Sequence, residues 1–516
     1  MLHDALQEAA ARWPDRIAIR DGDGSRSWRE VAAEVATAAS GLDALAVAPG
    51  ERVALLASNE PAFLTATFAA ARIGAVLVPL NPRLAIPEQL QVLEAAAPRL
   101  LLHAEGTDRS AHRLGELADL PCASLPSLLG GDGPAPRPTI DPSASAHLYF
   151  TSGTTGRPKG VVLTHDNVLT HARNAVHELG LTAEDRWAHV APMFHLADAW
   201  ATVAVTLVGG SHVFLPRFDA ARALDLLQHA GVTCTNLVPT MLNDMVRHES
   251  AAGRTFPSLR LLLSGGAPIA PRVVEEIEAL FACTYAQTYG LTETSPYLTI
   301  SLLDERHAGL SEDERRAARA RTGRPFHGVE VEVVDERGEP VPDDDCTVGE
   351  VRARGRTVTP GYWNDLEATR AAFRDGWFHT GDLAVVDALG SLRIVDRKKD
   401  MILTGAECVY STEVEDVLYE HPDVYEAAVF GLPHPRWGEA VQAALVPRAG
   451  HSVDVDSVQA FCRERLAGYK CPKALHVLAE LPRTGSGKIS KRLLRERLAG
   501  APNAGSGATD DRAAPK

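Results

Sequence analysis

The alternation of short apolar runs with helical segments constrains the fold of this chain most strongly. Residues 52–56 and 75–80 are apolar runs of strand length, and a segment with helical periodicity follows each of them. Strands that alternate with helices indicate βαβ units, which build a parallel sheet covered by helices. The same alternation returns at residues 221–240 and 272–286. We therefore predict an α/β fold with parallel-rich sheets.

The pattern changes toward the C-terminus. Residues 329–334 alternate between valine and glutamate before a final valine, as is typical of half-exposed antiparallel strands. A dense charge run at 396–400 separates two apolar strands, and a compact α+β pattern follows it. We predict a large N-terminal domain over residues 1–398 and a small domain over residues 399–499. Residues 500–516 are rich in Ala, Gly, Pro and charge and should form a disordered tail.

Length, charge and cysteine content exclude several classes of protein. With 516 residues the chain is too long for one ordinary core, so two or more domains are expected. The formal net charge of −15 argues against a nucleic-acid partner, which would need a basic face. The seven cysteines form no Cys-x-x-Cys pair, which argues against a zinc site or disulfide framework and favours the cytoplasm. No apolar run reaches the roughly 18 residues of a membrane-spanning helix, so we expect no membrane span.

A loop of small, hydroxylated and basic residues is suited to bind phosphate. Residues 151–160 read Thr-Ser-Gly-Thr-Thr-Gly-Arg-Pro-Lys-Gly. The glycines let the backbone approach a ligand closely, and the hydroxyl and N–H groups can donate to anionic oxygens. Apolar residues on both sides predict a strand–loop–strand arrangement. The P-loop is excluded because Lys159 follows Pro158 instead of a glycine; a polar loop without function is the alternative.

Further segments along the chain carry a resemblance to a known family. They are residues 264–268 (Ser-Gly-Gly-Ala-Pro), 287–294 (Gln-Thr-Tyr-Gly-Leu-Thr-Glu-Thr), 379–383 (His-Thr-Gly-Asp-Leu) and 482–488 (Pro-Arg-Thr-Gly-Ser-Gly-Lys). With the loop, they resemble the signatures of the adenylate-forming superfamily of acyl-CoA and aryl-CoA synthetases, luciferases and peptide-synthetase adenylation domains. The resemblance covers nearly the whole chain. It implies a large domain of βα units with parallel-rich sheets and a small β-barrel-like part, and a small mobile C-terminal α+β domain.

The resemblance implies that ATP is bound together with Mg²⁺. It implies that Glu293 and Thr154 hold Mg²⁺, which needs hard oxygen ligands. It also implies that Thr292 contacts the α-phosphate and that Tyr289 lies against adenine. The residues that match ATP-binding or AMP-binding positions of the family are Thr151, Ser152, Gly153, Thr154, Thr155, Gly156, Lys159, Gly266, Ala267, Pro268, Thr288, Tyr289, Gly290, Thr292, Asp382, Arg397 and Lys488.

Two of these matches imply roles in ribose binding and catalysis. Asp382 would accept both vicinal hydroxyls of the ribose, because a carboxylate has several acceptor sites, and Arg397 would reinforce it. Lys488 would bridge the substrate carboxylate and the α-phosphate during adenylation. Its place in the small domain implies that this domain closes for chemistry and then rotates about the hinge residue Lys399. The catalytic residues implied are Lys488, His195, Thr292 and Glu293.

The segment Ala-Pro-Met-Phe-His at 191–195 resembles the family motif at the acyl pocket. The resemblance places His195 beside the substrate carboxylate; a histidine satisfied within the core is the alternative. The pocket should be largely apolar, so we expect the charged Asp198 to point to solvent. The residues implied to line the pocket are His195, Leu196, Asp198, Trp200, Asn236, Val238, Met241, Gly265 and Gly266.

The chain departs from the family pattern at residues 405–411. The resemblance implies that Gly405 and Ala406 border the tunnel for the acceptor thiol, and Ala406 stands where relatives that use CoA have glycine. A methyl group there could narrow the tunnel, or be accommodated if φ is negative. Cys408 replaces a polar residue, and we expect it to be a packing residue and not a nucleophile.

The resemblance implies an ATP-dependent ligase that joins a carboxylic acid to CoA through an acyl-adenylate. The alternative is a stand-alone adenylating enzyme that passes the acyl group to a carrier-protein thiol or to an amine or other nitrogen nucleophile. A third class, a relative that only binds nucleotide, is disfavoured by Lys488, Glu293 and Asp382. An aliphatic acid and a planar aryl or cinnamate-like acid both remain open as substrates.

Overall fold

The computed structural model describes residues 1–22, 24–129, 137–152, 158–267, 269, 271–405, 407–483 and 489–499. The chain divides into two units, and neither is a single stretch of sequence. The first unit contains Met1–Glu332, Arg352–Thr380 and Val386–Arg393. The second unit contains Val333–Val351, Gly381–Val385 and the residues from Ile394 onward.

Helices occur throughout both units. In chain order they are α1 (Leu2–Arg12), α2 (Trp28–Ala44), α3 (Pro61–Ile73), α4 (Ile86–Ala96), α5 (Asp108–Ala118), α6 (Leu125–Leu128), α7 (His165–Glu178), α8 (Leu196–Ala199), α9 (Ala201–Val208), α10 (Ala220–His229), α11 (Pro239–Arg247), α12 (Pro271–Phe281), α13 (Glu312–Ala320), α14 (Leu366–Ala372), α15 (Ser411–Glu420), α16 (Val455–Arg465) and α17 (Lys491–Leu498). Among the described residues, no helix is long and apolar enough to cross a membrane.

The strands are short and lie between these helices. In chain order they are β1 (Ile17–Asp21), β2 (Gly24–Ser27), β3 (Arg52–Leu56), β4 (Val76–Leu80), β5 (Leu100–His103), β6 (Cys122–Ser124), β7 (Ser145–Ser152), β8 (Pro158–Thr164), β9 (Arg186–His189), β10 (Ser211–Phe214), β11 (Cys234–Leu237), β12 (Leu261–Gly265), β13 (Thr284–Gly290), β14 (Tyr297–Ile300), β15 (Arg324–Pro325), β16 (Glu330–Val334), β17 (Gly349–Arg354), β18 (Phe373–Arg374), β19 (Trp377–Val386), β20 (Leu392–Arg397), β21 (Ile402–Thr404), β22 (Glu407–Val409), β23 (Val424–His434), β24 (Gly438–Pro447) and β25 (Ala474–Val477).

Two parallel-rich sheets dominate the first unit, which confirms the predicted α/β class. One has nine strands in the order β15–β14–β13–β12–β11–β9–β10–β1–β2, and the other has six in the order β6–β5–β3–β4–β7–β8. In the larger sheet, the adjacent strands β13, β12, β11, β9, β10 and β1 run parallel to one another. Strand β2 pairs antiparallel at one edge, and β14 and β15 pair antiparallel at the other. In such sheets ligands bind beyond the carboxyl ends of the parallel strands.

The burial of the strands and helices in the βα segments of the first unit explains why their apolar sequences predicted them. Every residue of β4 is buried, as a parallel strand covered on both faces requires. The helix before it, α3, is rich in alanine and almost fully buried, and it ends at Gly74 with φ +75°, a left-handed conformation that glycine adopts without strain. The strands predicted at 52–56 and 75–80 are confirmed as β3 and β4.

Smaller sheets follow toward the C-terminus. A five-stranded sheet has the order β16–β17–β19–β18, with β20 beside β19. The second unit contains a sheet with the order β22–β21–β24–β23, with β25 parallel to β24. Helices α15 and α16 contribute buried residues, including Val414, Leu418 and Val458, to its core. The α+β pattern predicted beyond the charge run is therefore present.

Candidate active site

The segment 151–160 joins two antiparallel strands, as predicted, and both of its ends belong to those strands. In the pairing of β7 with β8, Thr151 is opposite Lys159 and Phe150 is opposite Gly160. The two strands that flank the loop therefore stand at the edge of the six-stranded sheet. Four of its predicted nucleotide-binding residues lie outside the described residues: Gly153, Thr154, Thr155 and Gly156.

Lys159, near the start of β8, forms a row with Tyr362 and Glu293. The Lys159 ammonium lies 5.2 Å from the centre of the Tyr362 ring, in a cation–π arrangement. The Tyr362 hydroxyl donates to Glu293 Oε1 at 2.9 Å. Trp363 N donates to the Gly160 carbonyl oxygen at 2.7 Å, which ties this segment to β8. Burial and, second, the Glu293 charge raise the pKa of Tyr362, so its hydroxyl remains a donor.

The Glu293 carboxylate fits a Mg²⁺ ion whose other ligands come from ATP. Its side chain is 8% exposed, and the helical turn Thr292–Thr294 that carries it is held by a 2.8 Å hydrogen bond from Thr359 N to the Glu293 carbonyl oxygen. Mg²⁺ commonly takes one or two protein carboxylates and completes its octahedron with phosphate oxygens and water. No group of three or more His, Cys, Asp or Glu suited to a metal occurs in the described part of the chain. The buried Glu293 carboxylate is the described group that would hold such an ion.

The carboxyl ends of β12 and β13 meet closely where the resemblance places the nucleotide. Thr288 Oγ1 donates to the Ser264 carbonyl oxygen at 3.0 Å, and a Cβ on Gly265 would lie 2.5 Å from Thr288 Oγ1. A Cβ on Gly290 would lie 1.8 Å from the Pro296 carbonyl oxygen. Both positions therefore require glycine. The neighbouring candidates with partly or fully exposed positions are Gly266, Ala267, Tyr289 and Thr292, and Pro268 lies outside the described residues.

Asn59 holds the segment that leads to His195. Its Nδ2 donates to the carbonyl oxygens of His189, at 3.1 Å, and Ala191, at 2.8 Å. Its Oδ1 accepts from Met193 N at 2.8 Å. The Asn59 side chain is 3% exposed and stands between β3 and α3, in the part of the chain that forms the other sheet. One buried amide therefore fixes three backbone groups just before His195.

The helix after His195 is fixed by polar side chains as well. Asn236 Nδ2 donates to the Ala197 carbonyl oxygen at 2.6 Å. Trp200 Nε1 donates to the same carbonyl at 3.0 Å and to the Tyr297 hydroxyl at 3.1 Å. His195 forms the N-cap of α8 and is partly buried, with its ring in contact with Phe194, 4.8 Å between centroids. The imidazole is therefore carried on a rigid turn.

The expectation that Asp198 points to solvent is wrong. Its side chain has no exposed surface, and its two oxygens accept from Trp187 Nε1 at 3.1 Å and from His189 Nδ1 at 2.6 Å. His189 Nε2 lies 3.0 Å from His212 Nδ1. The sequence did not predict the burial of Asp198 because a helix of one turn is too short to show a periodicity that assigns its faces. A buried carboxylate with two donors anchors α8 to β9.

The remaining predicted pocket residues divide between two buried clusters. Leu196 and Trp200 belong to the cluster that includes Cys234, whereas Met241 and the partly buried Val238 pack with the cluster that includes Leu237. Successive residues of a strand point to opposite faces, so these clusters lie on opposite sides of β11. The structure therefore does not gather all the candidate pocket residues on one face.

In the second unit, Asp382 and Arg397 are neighbours as the resemblance implied. Arg397 Nε lies 3.3 Å from Asp382 Oδ1, and the Asp382 side chain is largely buried while that of Arg397 is half exposed. Lys488 lies outside the described residues. Arg483 and Ile489, on either side of its loop, face each other in an antiparallel bridge. The described residues on the two sides of that loop are therefore paired with each other.

The segment around Gly405 contacts a tryptophan. Gly405 N donates to the Trp437 carbonyl oxygen at 2.8 Å, and Gly405 has φ +61°. Ala406 lies outside the described residues. Cys408 is exposed on β22, so the expectation that it is a packing residue is wrong: its strand is at a sheet edge and its side chain is on the open face. Lys399 is exposed between β20 and β21.

Basic side chains and a histidine surround the Trp437 ring, and we call this group the Trp437 cluster. The ring stacks on His434, with centroids 4.2 Å apart and planes at 16°. Lys473 Nζ lies 5.4 Å and the Arg436 guanidinium 5.8 Å from the ring centre. An aromatic ring with two cations over it combines groups that contact nucleotide bases and phosphates. The cluster is suited to a phosphorylated ligand.

Sequence reasoning missed Asn59, Tyr362 and Trp437. Tyr362 and its neighbour Trp363 follow Pro360-Gly361, and a pair of aromatic residues in such a turn was a signal of a ligand contact. Trp437 follows the proline-containing segment His434-Pro435-Arg436, so an aromatic residue after a turn-forming segment was a signal there as well. Asn59 offered no signal, because its partners are more than 100 positions away, with separations of 130 to 134.

The comparisons with known proteins agree with an enzyme of the adenylate-forming class. The chain belongs to the AMP-binding enzyme family: the family model matches residues 6–363, and the model of the AMP-binding enzyme C-terminal domain matches residues 413–488. Among its relatives, a feruloyl-CoA synthase of an Amycolatopsis species is 38% identical over 492 residues, which span 94% of this chain and 96% of that protein.

Solved structures of similar proteins include a CoA synthetase and an amide bond synthetase. The o-succinylbenzoate CoA synthetase of Bacillus subtilis, solved with its acyl-adenylate intermediate, superposes with a TM-score of 0.86 at 30% identity and covers 97% of this chain and 98% of its own. The amide bond synthetase McbA of Marinactinospora thermotolerans superposes with a TM-score of 0.87 at 29% identity, over 96% of this chain and 100% of its own.

Proposed function

We propose that this protein is an AMP-forming acid–thiol ligase that activates a carboxylic acid with ATP and transfers the acyl group to CoA. The observation that carries the proposal is the row of Lys159, Tyr362 and Glu293. A cation, a fixed hydroxyl donor and a buried carboxylate side by side suit a polyphosphate with its metal ion. The relatives named as CoA synthases and synthetases support the same reaction.

In the first step a carboxylate oxygen attacks the α-phosphorus of ATP. The new O–P bond gives an acyl-adenylate, and the bond to the β-phosphate breaks to release pyrophosphate. Lys159 would compensate charge on the phosphates, and Glu293 would hold Mg²⁺, which would supply further positive charge for the phosphoryl transfer. We assign to Lys488 the cation that draws the carboxylate and the α-phosphate together, to Thr292 a contact with the α-phosphate, and to Asp382 the ribose. The loop residues Gly153, Thr154, Thr155 and Gly156 are proposed phosphate contacts.

In the second step a thiol attacks the acyl carbonyl carbon, a C–S bond forms, and AMP leaves while the thiol proton passes to solvent or base. The Trp437 cluster supports CoA as the thiol, because CoA carries an adenine ring and phosphates that such a surface binds. Gly405 contacts Trp437 directly, which agrees with a path for the thiol along this segment. We assign Gly405 and Ala406 to that path.

A second candidate has a different acceptor. The similarity to an amide bond synthetase, together with the alanine at position 406, favours consideration of a nitrogen nucleophile, and a carrier-protein thiol is the other alternative. The activation step and its residues are the same in both cases.

We also propose that the small C-terminal domain over 399–499 moves about Lys399 between the two steps. Residues 500–516 are proposed to form a tail. We further propose that the enzyme is cytoplasmic, since its seven cysteines are unpaired.

The test is pyrophosphate release from ATP across fatty, benzoic and cinnamic acids, each with and without CoA. One acid class that yields pyrophosphate, AMP and acyl-CoA supports the ligase. Pyrophosphate without consumption of CoA redirects the search to a nitrogen or carrier-protein acceptor. A Lys488→Ala variant should remain folded and release no pyrophosphate; normal release from that variant would overturn the mechanism.

A further inference from the structure

A buried amide oxygen at the end of β11 has no hydrogen-bond partner. Asn236 is 2% exposed, and its Oδ1 accepts from no group in the described part of the chain. Desolvating such an acceptor without a partner costs free energy, and native proteins rarely leave one orphaned. An unpaired acceptor in a candidate pocket is therefore available to a donor from outside the chain, either a substrate group or a buried water.

The orientation of this amide is determined by its other end. Asn236 Nδ2 donates to the Ala197 carbonyl oxygen at 2.6 Å. A flipped amide would set Oδ1 against that carbonyl oxygen, and two acceptors cannot share a hydrogen bond. Oδ1 is therefore the atom that faces away from α8.

Asn236 lies at the ligand side of the sheet, on the face of β11 that the cluster with Leu196 and Trp200 covers. Asn236 is one residue from the end of β11, and the carboxyl ends of parallel strands are where α/β proteins bind ligands. Alternation along the strand puts it on the same face as Cys234, whose buried cluster also contains Leu196 and Trp200. Among the described residues of this region, the Asn236 oxygen is a polar atom without a partner and can therefore discriminate between acyl groups.

We propose that Asn236 Oδ1 accepts a hydrogen bond from the acyl group of the substrate, so that the preferred acid carries a hydroxyl or N–H donor. This inference rests on the proposed function and narrows its substrate to hydroxylated or N–H-bearing acids, such as phenolic or indolic ones. A plain alkyl or aryl acid would leave the oxygen unpaired and so bind less well. A site built to pair with a substrate O–H rejects analogues that lack it.

The test uses matched pairs of acids that differ by the donor: cinnamic and 4-hydroxycinnamic acid, benzoic and 4-hydroxybenzoic acid, and N-methylindole-3-acetic and indole-3-acetic acid. The wild-type kcat/KM for pyrophosphate release should favour the donor-bearing member of at least one pair by about tenfold or more. In Asn236→Leu and Asn236→Ser that ratio should fall toward one. The ratio compares two acids on the same protein, so a smaller folded fraction lowers both rates and leaves it intact.

Thr235→Val is the matched control. Thr235 precedes Asn236, is fully buried, and also donates to a backbone carbonyl, that of Ala188 at 2.9 Å, but it points to the opposite face. This variant should keep the wild-type ratio. A wild-type enzyme that is indifferent to the donor, or an Asn236→Leu variant that keeps the preference, would overturn the inference while the ligase proposal stands, since a buried water would then satisfy Oδ1. No pyrophosphate with any acid would instead remove the proposed function.

Discussion

Asp198 Oδ2 and His189 Nδ1 lie 2.6 Å apart, and neither side chain has any exposed surface. A carboxylate only accepts hydrogen bonds, so His189 Nδ1 donates to Asp198, and the other ring nitrogen of His189, Nε2, lies 3.0 Å from His212 Nδ1. Trp187 Nε1 supplies the second donor to Asp198. A continuous chain of side chains therefore ties α8, which follows His195, to the two strands β9 and β10.

Asp198→Ala should lower the free energy of unfolding by about 3 kcal/mol. The change leaves the buried N–H groups of Trp187 and His189 without an acceptor, which costs more than the pair itself contributes. Urea denaturation of the purified variant measures the loss. Asp219→Ala is the control: Asp219 is an exposed N-cap that accepts from Arg222 N, and its loss should cost only about 1 kcal/mol. Equal losses in the two variants would contradict the anchoring role of Asp198.

Asn59→Ala should reduce kcat for pyrophosphate release about tenfold, because misplacement of a catalytic group by a fraction of an ångström is costly. Asn59 fixes three backbone groups ahead of His195. The KM for ATP should change little, since the row of Lys159, Tyr362 and Glu293 is untouched. Thr67→Val removes a buried hydrogen bond to the Phe63 carbonyl oxygen within α3 and should leave kcat near the wild-type value. A normal kcat for Asn59→Ala would show that the backbone segment before His195 keeps its conformation without the Asn59 side chain.

Tyr362→Phe should raise the Mg²⁺ concentration needed for half-maximal pyrophosphate release. The variant keeps the ring beneath the Lys159 ammonium and removes only the hydroxyl that donates to Glu293 at 2.9 Å. The carboxylate then loses its orientation toward the metal ion, and we expect a decrease in kcat/KM of about 10- to 100-fold, typical of the loss of a partner that orients a ligand. A Mg²⁺ titration at saturating ATP provides the readout. An unchanged dependence of the rate on Mg²⁺ concentration would show that Tyr362 does not contribute to metal binding.

The stability of the protein should fall as the pH is lowered from 6.5 to 4. Burial lowers the pKa of His147 from the ordinary value of 6.5 to about 4, and neither ring nitrogen has a hydrogen-bond partner among the described residues. Within this pH window the unfolded chain binds a proton at His147 and the native chain does not, so acid favours unfolding by up to about 3 kcal/mol. His147→Leu should reduce the slope of unfolding free energy against pH between 6.5 and 4. An unchanged slope would refute the assignment.

Trp437→Ala should weaken the thiol step and spare the activation step. Removal of the ring eliminates the surface on which Lys473 and Arg436 converge, so the KM for CoA should increase about tenfold, the effect of losing one stacking contact. Pyrophosphate release in the absence of CoA should stay within twofold of wild type. Lys473→Ala should show the same pattern with a stronger dependence on salt. A fall in both half-reactions would indicate a structural role for Trp437 instead.

Much of the fold was predictable because burial selects residue type locally. The strands β3 and β4 are runs of buried apolar residues between helices, so their length and composition identified them. The hairpin of β7 and β8 was predictable because apolar segments flank a loop of glycine and hydroxyl residues. The proximity of Asp382 and Arg397 followed from a family resemblance, since nothing in their spacing requires contact.

What the sequence determined by itself was therefore the class of fold, the identity of the loop at 151–160 and the chemistry of its residues. Only the tertiary structure decided which distant side chains support them: Tyr362 meets Glu293 across 69 positions and Asn59 meets Ala191 across 132. It also decided that Asp198 is buried and that Asn236 presents an unpaired oxygen. The physical reason is that local periodicity assigns a residue to one face of its own element, whereas its hydrogen-bond partners depend on which elements pack against that face.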